Sequence, residues 1–371
     1  MQGAGALLAY SAAASISGAI AHAGKGNDAQ SAPIGRNEIV EYGKDTLPSG
    51  IRSRYVDNNN GVRMHVIEAG FEQPARPCVV FLHGLPEFAY TWRNQLLPVA
   101  KAGFHAIAPD LRGYGRSVAT PVNFDDDLLP YSLLNRVSDV LGLVRAIGYK
   151  KVGAVVGHDW GAPTAEWCAL VRPDVFESVV LMSTPFDGSP ALPLNTANSR
   201  RSVKPEFDIE RALAALPRPR KHYRQYLAAR GANDDMWHAP QGVHDLLPSK
   251  REIAACGWMT EGDLQVYSTE YVRTGFQGGL NSYRILEDSR YDSELKSFSD
   301  RTIDSPSCYI AGAREWGVYQ SPGAFERMQH GACTRLLGVH LVDGAGHSVA
   351  EEKPEQVNRL ILDFLRQAKP A

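Results

Sequence analysis

An apolar run, Val152-Gly153-Ala154-Val155-Val156, leads into Gly157-His158-Asp159-Trp160-Gly161 and then into a helix-forming stretch from Ala162 to Val171. Strand, glycine-flanked turn and helix in that order describe a sharp elbow that lifts one residue clear of a sheet edge. Small neighbours let the turn reach unusual backbone angles and let a ligand approach closely. The lifted residue is a carboxylate, Asp159. Asp can also cap a helix, but the glycines on both sides favour the elbow.

The rest of the chain supplies the sheet this elbow needs. Asn58-Asn59-Asn60-Gly61 is a hairpin turn signal before a strand at His65 to Gly70. Short apolar strands are expected at Cys78 to Leu82, His105 to Ala108, Ser178 to Met182, Ser307 to Ala311 and Val339 to Val342. Helices are expected at Tyr90 to Ala102, Ser132 to Ile147 and Gln356 to Arg366. In the second of these, Leu133, Leu134, Val137, Val140, Leu141 and Val144 recur at helical spacing. This alternation predicts an α/β fold, a mostly parallel sheet with helices on both faces.

The pattern stops after Thr184-Pro185 and resumes near Ser307. A length of 371 residues exceeds what one core usually serves. We therefore divide the chain into a core at 37–185 and 305–371 and an inserted, mainly helical lid at 186–304, with 1–36 as leader and linker. The leader is apolar from Leu7 to Ile20 and carries Ala21-His22-Ala23, a cleavage-like triplet, but no Lys or Arg near its start. It reads either as a secretion signal, giving an exported chain, or as a disordered leader of a cytoplasmic one. It is too weakly apolar for a stable membrane span.

Composition narrows the function. The net charge of −2 and the lack of a long basic block argue against a nucleic-acid partner. Arg218 to Arg224 is a basic cluster broken by Pro219, His222 and Tyr223, and reads as a solvated helix start. The five cysteines are scattered without a C-x-x-C, and the eleven histidines form no metal-ligand pair. No metal and no cofactor are expected; oligomeric state is not encoded in these features.

Candidate functional residues follow strand ends, where open α/β sheets place their ligand crevice. Asp159, Glu315 and His347 come in the order nucleophile, acid, histidine. A carboxylate nucleophile forms an alkyl ester on attacking an sp3 carbon, so a strained ether or an alkyl halide is its natural electrophile.

From about residue 50 to its end the chain resembles the α/β-hydrolase-fold epoxide hydrolases. His83-Gly84-Leu85-Pro86 resembles their HGxP oxyanion segment, Arg112-Gly113-Tyr114-Gly115-Arg116-Ser117 their G-Y-G-x-S turn, and Gly157 to Gly161 their nucleophile motif. His222-Tyr223-Arg224-Gln225-Tyr226 and Gly279-Leu280-Asn281-Ser282-Tyr283-Arg284 are similar to the segments that carry two ring-opening tyrosines. The resemblance implies a small apolar epoxide and water as substrates. Asp159 would be the nucleophile, His347 the base, Glu315 its orienting acid, and Tyr223 and Tyr283 the proton donors. The backbone amides of Leu85 and Trp160 would form the oxyanion hole. His83, Pro86 and Trp160 would line the binding site, with a cis Leu85–Pro86 bond.

Some alternatives remain open at this level. Relatives usually carry Asp where this chain has Glu315, and Asp187 is a reserve acid. Ser348 stands where relatives often have a bulky aromatic. Tyr226 and Tyr271 compete with the two chosen tyrosines. His158 is expected to support the loop, and Asp110 and Arg112 to tie a turn together. A haloalkane dehalogenase would share Asp159 and His347, but would want halide donors such as Trp indoles or an Asn where Leu85 stands. A ligand receptor without catalysis could use the same fold.

Overall fold

The computed structural model describes residues 46–368 apart from 74, 191–214, 216–249, 287, 292 and 320. The leader, its cleavage-like triplet, the basic cluster, Tyr223 and Tyr226 lie outside the described residues.

Nine strands form one sheet among these residues: β1 (Arg52–Asp57), β2 (Val62–Ala69), β3 (Cys78–Leu82), β4 (His105–Pro109), β5 (Val118–Ala119), β6 (Ala154–His158), β7 (Val179–Met182), β8 (Ser307–Gly312) and β9 (Leu336–Val342). Their order is β1-β2-β4-β3-β6-β7-β8-β9, with β5 beside β2. From β4 through β9 every neighbouring pair is parallel, whereas β1, β2 and β5 join antiparallel. The expected hairpin at 58–61 thus joins β2 to a strand, β1, that the sequence did not announce. The cause is visible in its burial, since only Val56 of β1 is buried and the strand shows no apolar run.

The central strands are buried on both faces and alternate between two cores. Val80, Leu82, Val155, Val179, Leu181 and Tyr309 face one; Val79, Phe81, Val156, Val180, Met182 and Ile310 face the other. Helices α1 (Arg93–Lys101), α2 (Leu133–Ala146) and α3 (Gly161–Val171) follow β3, β5 and β6, and α2 and α3 cover the first face. The other face is covered by α1 and, from the end of the chain, α9 (Pro354–Gln367), which buries Val357, Ile361, Phe364 and Leu365. Between β7 and β8 the described residues include α4 (Lys250–Ala254), α5 (Glu261–Thr274) and α6 (Gln277–Leu286). Two short helices, α7 (Ala324–Arg327) and α8 (Val349–Glu352), lie on either side of β9.

Helix α5 starts with a reciprocal cap in which Thr260 Oγ1 accepts from the Asp263 amide and Asp263 accepts from the Thr260 amide. Asp263 also accepts from Tyr90 Oη at 2.8 Å and pairs with Arg93 at 3.0 Å. Arg93 reaches Glu351 at 2.5 Å, and Tyr267 Oη donates to the same carboxylate at 3.2 Å. Further along, Arg116 pairs with Glu270 at 2.8 Å and Arg273 donates to the Gly115 carbonyl at 2.6 Å. Except at Arg273, which is exposed, these charge-assisted bonds are largely buried, and together they fix α5 against the strand ends.

The elbow itself rests on close backbone packing. β6 runs two residues beyond the apolar pentad, because Gly157 and His158 still pair with Leu181 and Met182. A Cβ on Gly161 would stand 2.1 Å from the Leu82 carbonyl oxygen of β3. Gly161→Ala should therefore lower stability by about 1–3 kcal/mol, the usual cost of overpacking, read as a drop in urea midpoint at unchanged slope. An unchanged midpoint would contradict the packing described.

Candidate active site

Apart from the tyrosines, the candidate residues stand just past the carboxyl ends of parallel strands. His83, Gly84 and Leu85 follow β3, Asp159 follows β6, Ser183 follows β7, Glu315 follows β8 and His347 follows β9. Asp159 has φ of 49° and Ser183 of 71°, a left-handed backbone rare outside glycine. Asp159 is thus held in a conformation that its surroundings must impose. Gly84 allows the close approach from the other side, since a Cβ there would sit 2.3 Å from Asp159 Cβ and Oδ1.

The Leu85 amide donates to Asp159 Oδ1 at 2.9 Å. The Leu85–Pro86 bond is cis. On the other side of the carboxylate, His347 Nε2 is 3.6 Å from Asp159 Oδ2. His347 Nδ1 lies 2.9 Å from Glu315 Oε2 and 3.2 Å from Ser183 Oγ. Glu315 is anchored in turn by the Gly317 amide, which donates to its other oxygen at 2.5 Å. The longer arm of a Glu is thereby accommodated, and Glu315 rather than Asp187 meets the imidazole. Asp187 instead pairs with Arg327. Of the expected oxyanion donors, Leu85 already touches the carboxylate; the Trp160 amide has no hydrogen bond to it in this resting arrangement.

Behind these groups lies a second buried ion pair. His158 Nδ1 is 3.0 Å from Glu87 Oε2, and His158 Nε2 is 2.8 Å from the His347 carbonyl oxygen. Glu87 also accepts from the Gly84 amide at 3.3 Å. Burial disfavours the charge on Glu87, yet the His158 cation, its hydrogen bond and His347 hold its pKa down to about 2. His158 is raised, because Glu87 outweighs the burial that alone would lower it. His158 therefore supports the loop, as expected, and its partner Glu87 is a contribution the sequence reading missed. His83 is lowered by burial and stays neutral; its Nδ1 donates to the Gly84 carbonyl at 2.9 Å, and its Nε2 accepts from the Leu111 amide at 2.9 Å.

Tyr283, on α6, is buried and meets the Trp160 ring edge-on at a centroid distance of 4.8 Å. The structure thus brings Asp159, His347, Glu315, Leu85, Trp160 and Tyr283 into one cluster. Trp316 adds a wall, stacked on His347 at 5.3 Å. Asp110 ties its turn by accepting from the Ala89 and Arg116 amides, both at 2.8 Å, while Arg112 pairs with Asp139. No group of three or more metal-ligating side chains exists among the described residues, and no helix among them is long and apolar enough to cross a membrane.

A family model for the alpha/beta hydrolase fold matches residues 77–354. Epoxide hydrolase A of Mycobacterium tuberculosis is 32% identical over 329 residues, covering 84% of this chain and 96% of that protein. The chain belongs to the α/β-hydrolase-fold epoxide hydrolase family. An epoxide hydrolase of Caballeronia sordidicola is 33% identical over 325 residues, covering 83% of this chain and 92% of that protein. Among solved structures, an epoxide hydrolase from an endophytic Streptomyces superimposes with a TM-score of 0.70 at 31% identity, covering 86% of this chain and 96% of that one. Potato epoxide hydrolase I gives a TM-score of 0.65 at 28% identity, covering 85% and 99%.

The His347 imidazole sets the pH behaviour of this family member. Burial would lower its pKa, but the Glu315 charge and hydrogen bond, then Asp159 and Glu87, raise it from 6.5 to about 10. A base with a raised folded pKa contributes stability that is fully present below 6.5 and lost as pH rises through about 10. In Glu315→Gln this loss should move down by about one pH unit or more, visible in urea unfolding between pH 6 and 10. Parallel stability profiles for the two proteins would contradict the coupling.

Proposed function

We propose that this enzyme opens an epoxide to a vicinal diol through a covalent ester on Asp159. The observation that carries the reading is the arrangement around one carboxylate: Leu85 N–H on Oδ1, and the His347–Glu315 pair facing Oδ2. Such a carboxylate has one oxygen held and one oriented for attack.

In the first step Asp159 Oδ2 attacks an epoxide carbon, the C–O bond breaks, and the ring oxygen takes a proton. Tyr283 is the donor supported by its position beside Trp160; Tyr223 is the second donor that the family resemblance suggests. A phenol remains protonated at neutral pH and so can donate as negative charge develops on the oxygen. In the second step water attacks the ester carbonyl of Asp159. His347 takes the water proton, the Leu85 amide stabilises the oxyanion, and the Trp160 amide is the second candidate donor. The ester C–O bond to the Asp159 carbonyl carbon then breaks, the departing alkoxide takes the other water proton, and the diol leaves; Asp159 is again a carboxylate carrying one oxygen from water, and His347 ends as the imidazolium.

Charge links the two steps. With Asp159 and Glu315 both ionised, His347 favours the imidazolium form and cannot act as a base. Ester formation removes the Asp159 charge, which lowers the His347 pKa and lets the ring shed its proton, while the phenolate left by ring opening takes one up and is restored. The unprotonated ring therefore becomes available as a base only after the electrophile has been captured. The alternative of a haloalkane dehalogenase has less support, because Leu85 offers no side-chain donor to a halide.

His347→Gln should form the ester and stall, giving an adduct of epoxide mass on the peptide containing Asp159 by mass spectrometry. Diol production at the wild-type rate with no adduct would refute the scheme. Tyr283→Phe should slow ester formation by about 10²-fold, the lower range for a general acid, in rapid-mixing experiments with styrene oxide. An unchanged rate would remove Tyr283 from the mechanism.

A further inference from the structure

Arg136 lies on α2, a core helix, and takes no part in the scheme above. It is 9% exposed. Burial pulls its pKa down, but a guanidinium starts so far above neutrality that it stays a cation. A buried cation normally needs a carboxylate partner to offset desolvation. Asp139, nearby on the same helix, is already occupied by Arg112 at 2.6 and 2.8 Å, by Asn58 at 3.1 Å and by Asn60 at 2.8 Å. Arg136 donates instead through Nη2 to Ser282 Oγ at 2.6 Å, and its guanidinium carbon stands 5.6 Å from the Trp160 ring centroid.

Those two partners flank the reaction centre. Trp160 follows the nucleophile in sequence, Ser282 precedes Tyr283, and the Tyr283 ring meets Trp160 edge-on. One cation therefore grips the elbow helix and α6 together, at the place where Tyr283 must be aimed. The Tyr114 and Tyr131 phenols, both raised by burial, face the same guanidinium and are drawn down by it. An apolar side chain of similar length would fill the space without the cost of burying a charge. Its hydrogen bond to Ser282 and its ring contact are directional, which an apolar chain cannot supply.

We propose that Arg136 is a positioning residue for ring opening: it holds Trp160 and Ser282, and through them the Tyr283 phenol, where the epoxide oxygen is met. The inference rests on the epoxide-opening reading and deepens it. It assigns Arg136 to ester formation and not to ester hydrolysis, which depends on His347, Glu315 and the Leu85 amide, none of them bonded to Arg136.

The test uses the full chain, styrene oxide and rapid mixing, with functional sites counted from the amplitude of trapped ester. Per functional site, Arg136→Met should slow ester formation by about tenfold or more, the scale of a lost charged hydrogen bond and ring contact. Ester decay should stay within about twofold of wild type. Arg136→Lys, which keeps a donor and a charge, should recover part of the loss. Ser282→Ala, which leaves the cation in place, should show a smaller loss in the same step and carries the test if Arg136→Met does not fold. Unchanged ester formation per site, equal slowing of both steps, or loss of functional sites alone would overturn the assignment. A wild-type chain that makes diol with no ester would overturn the parent reading, and this one with it.

Discussion

The constraint on which the rest depends is the backbone of Asp159, a non-glycine residue held at φ of 49° between β6 and α3. That conformation costs on the order of 1–3 kcal/mol and persists because neighbours overdetermine it. Gly84 and Gly161 remove side chains that would collide with Asp159 and with β3. The Leu85 amide then captures one carboxylate oxygen, leaving the other to face His347. On one side of β6 the parallel strands β7, β8 and β9 deliver Ser183, Glu315 and His347 to the same edge, and on the other side β3 delivers Leu85, so no one segment has to carry the whole site.

Around that carboxylate the structure balances buried charge. Two histidines are each raised by a glutamate, His158 by Glu87 and His347 by Glu315, and His158 is hydrogen-bonded to the backbone of His347. Against a well-packed apolar pair of similar volume a buried ion pair of this kind gains little, although losing one partner's charge is costly. Its value is that it fixes orientation. It also makes the state of His347 sensitive to the charge on Asp159, which would order formation and hydrolysis of the proposed ester.

Much of this was legible in the chain. The parallel core could be read because its strands are buried on both faces and appear as short apolar runs. Asp159, Glu315 and His347 could be read because strand-end turns rich in glycine mark the crevice. The first strand was missed because β1 is largely exposed and carries no apolar run. Glu87 does not stand out in the sequence, since its partner His158 lies 71 residues away. Arg136 was hidden among the apolar residues of α2, and its contact with Ser282 spans 146 positions. Contacts between distant segments leave no local periodicity, so only the folded chain brings them into view.

The most direct measurement is a single turnover in heavy-oxygen water, followed by mass analysis of the peptide that carries Asp159. The account predicts that the first diol released contains no solvent oxygen and that one heavy oxygen enters the Asp159 carboxylate. Solvent oxygen appearing in the first diol, with an unlabelled Asp159, would contradict it.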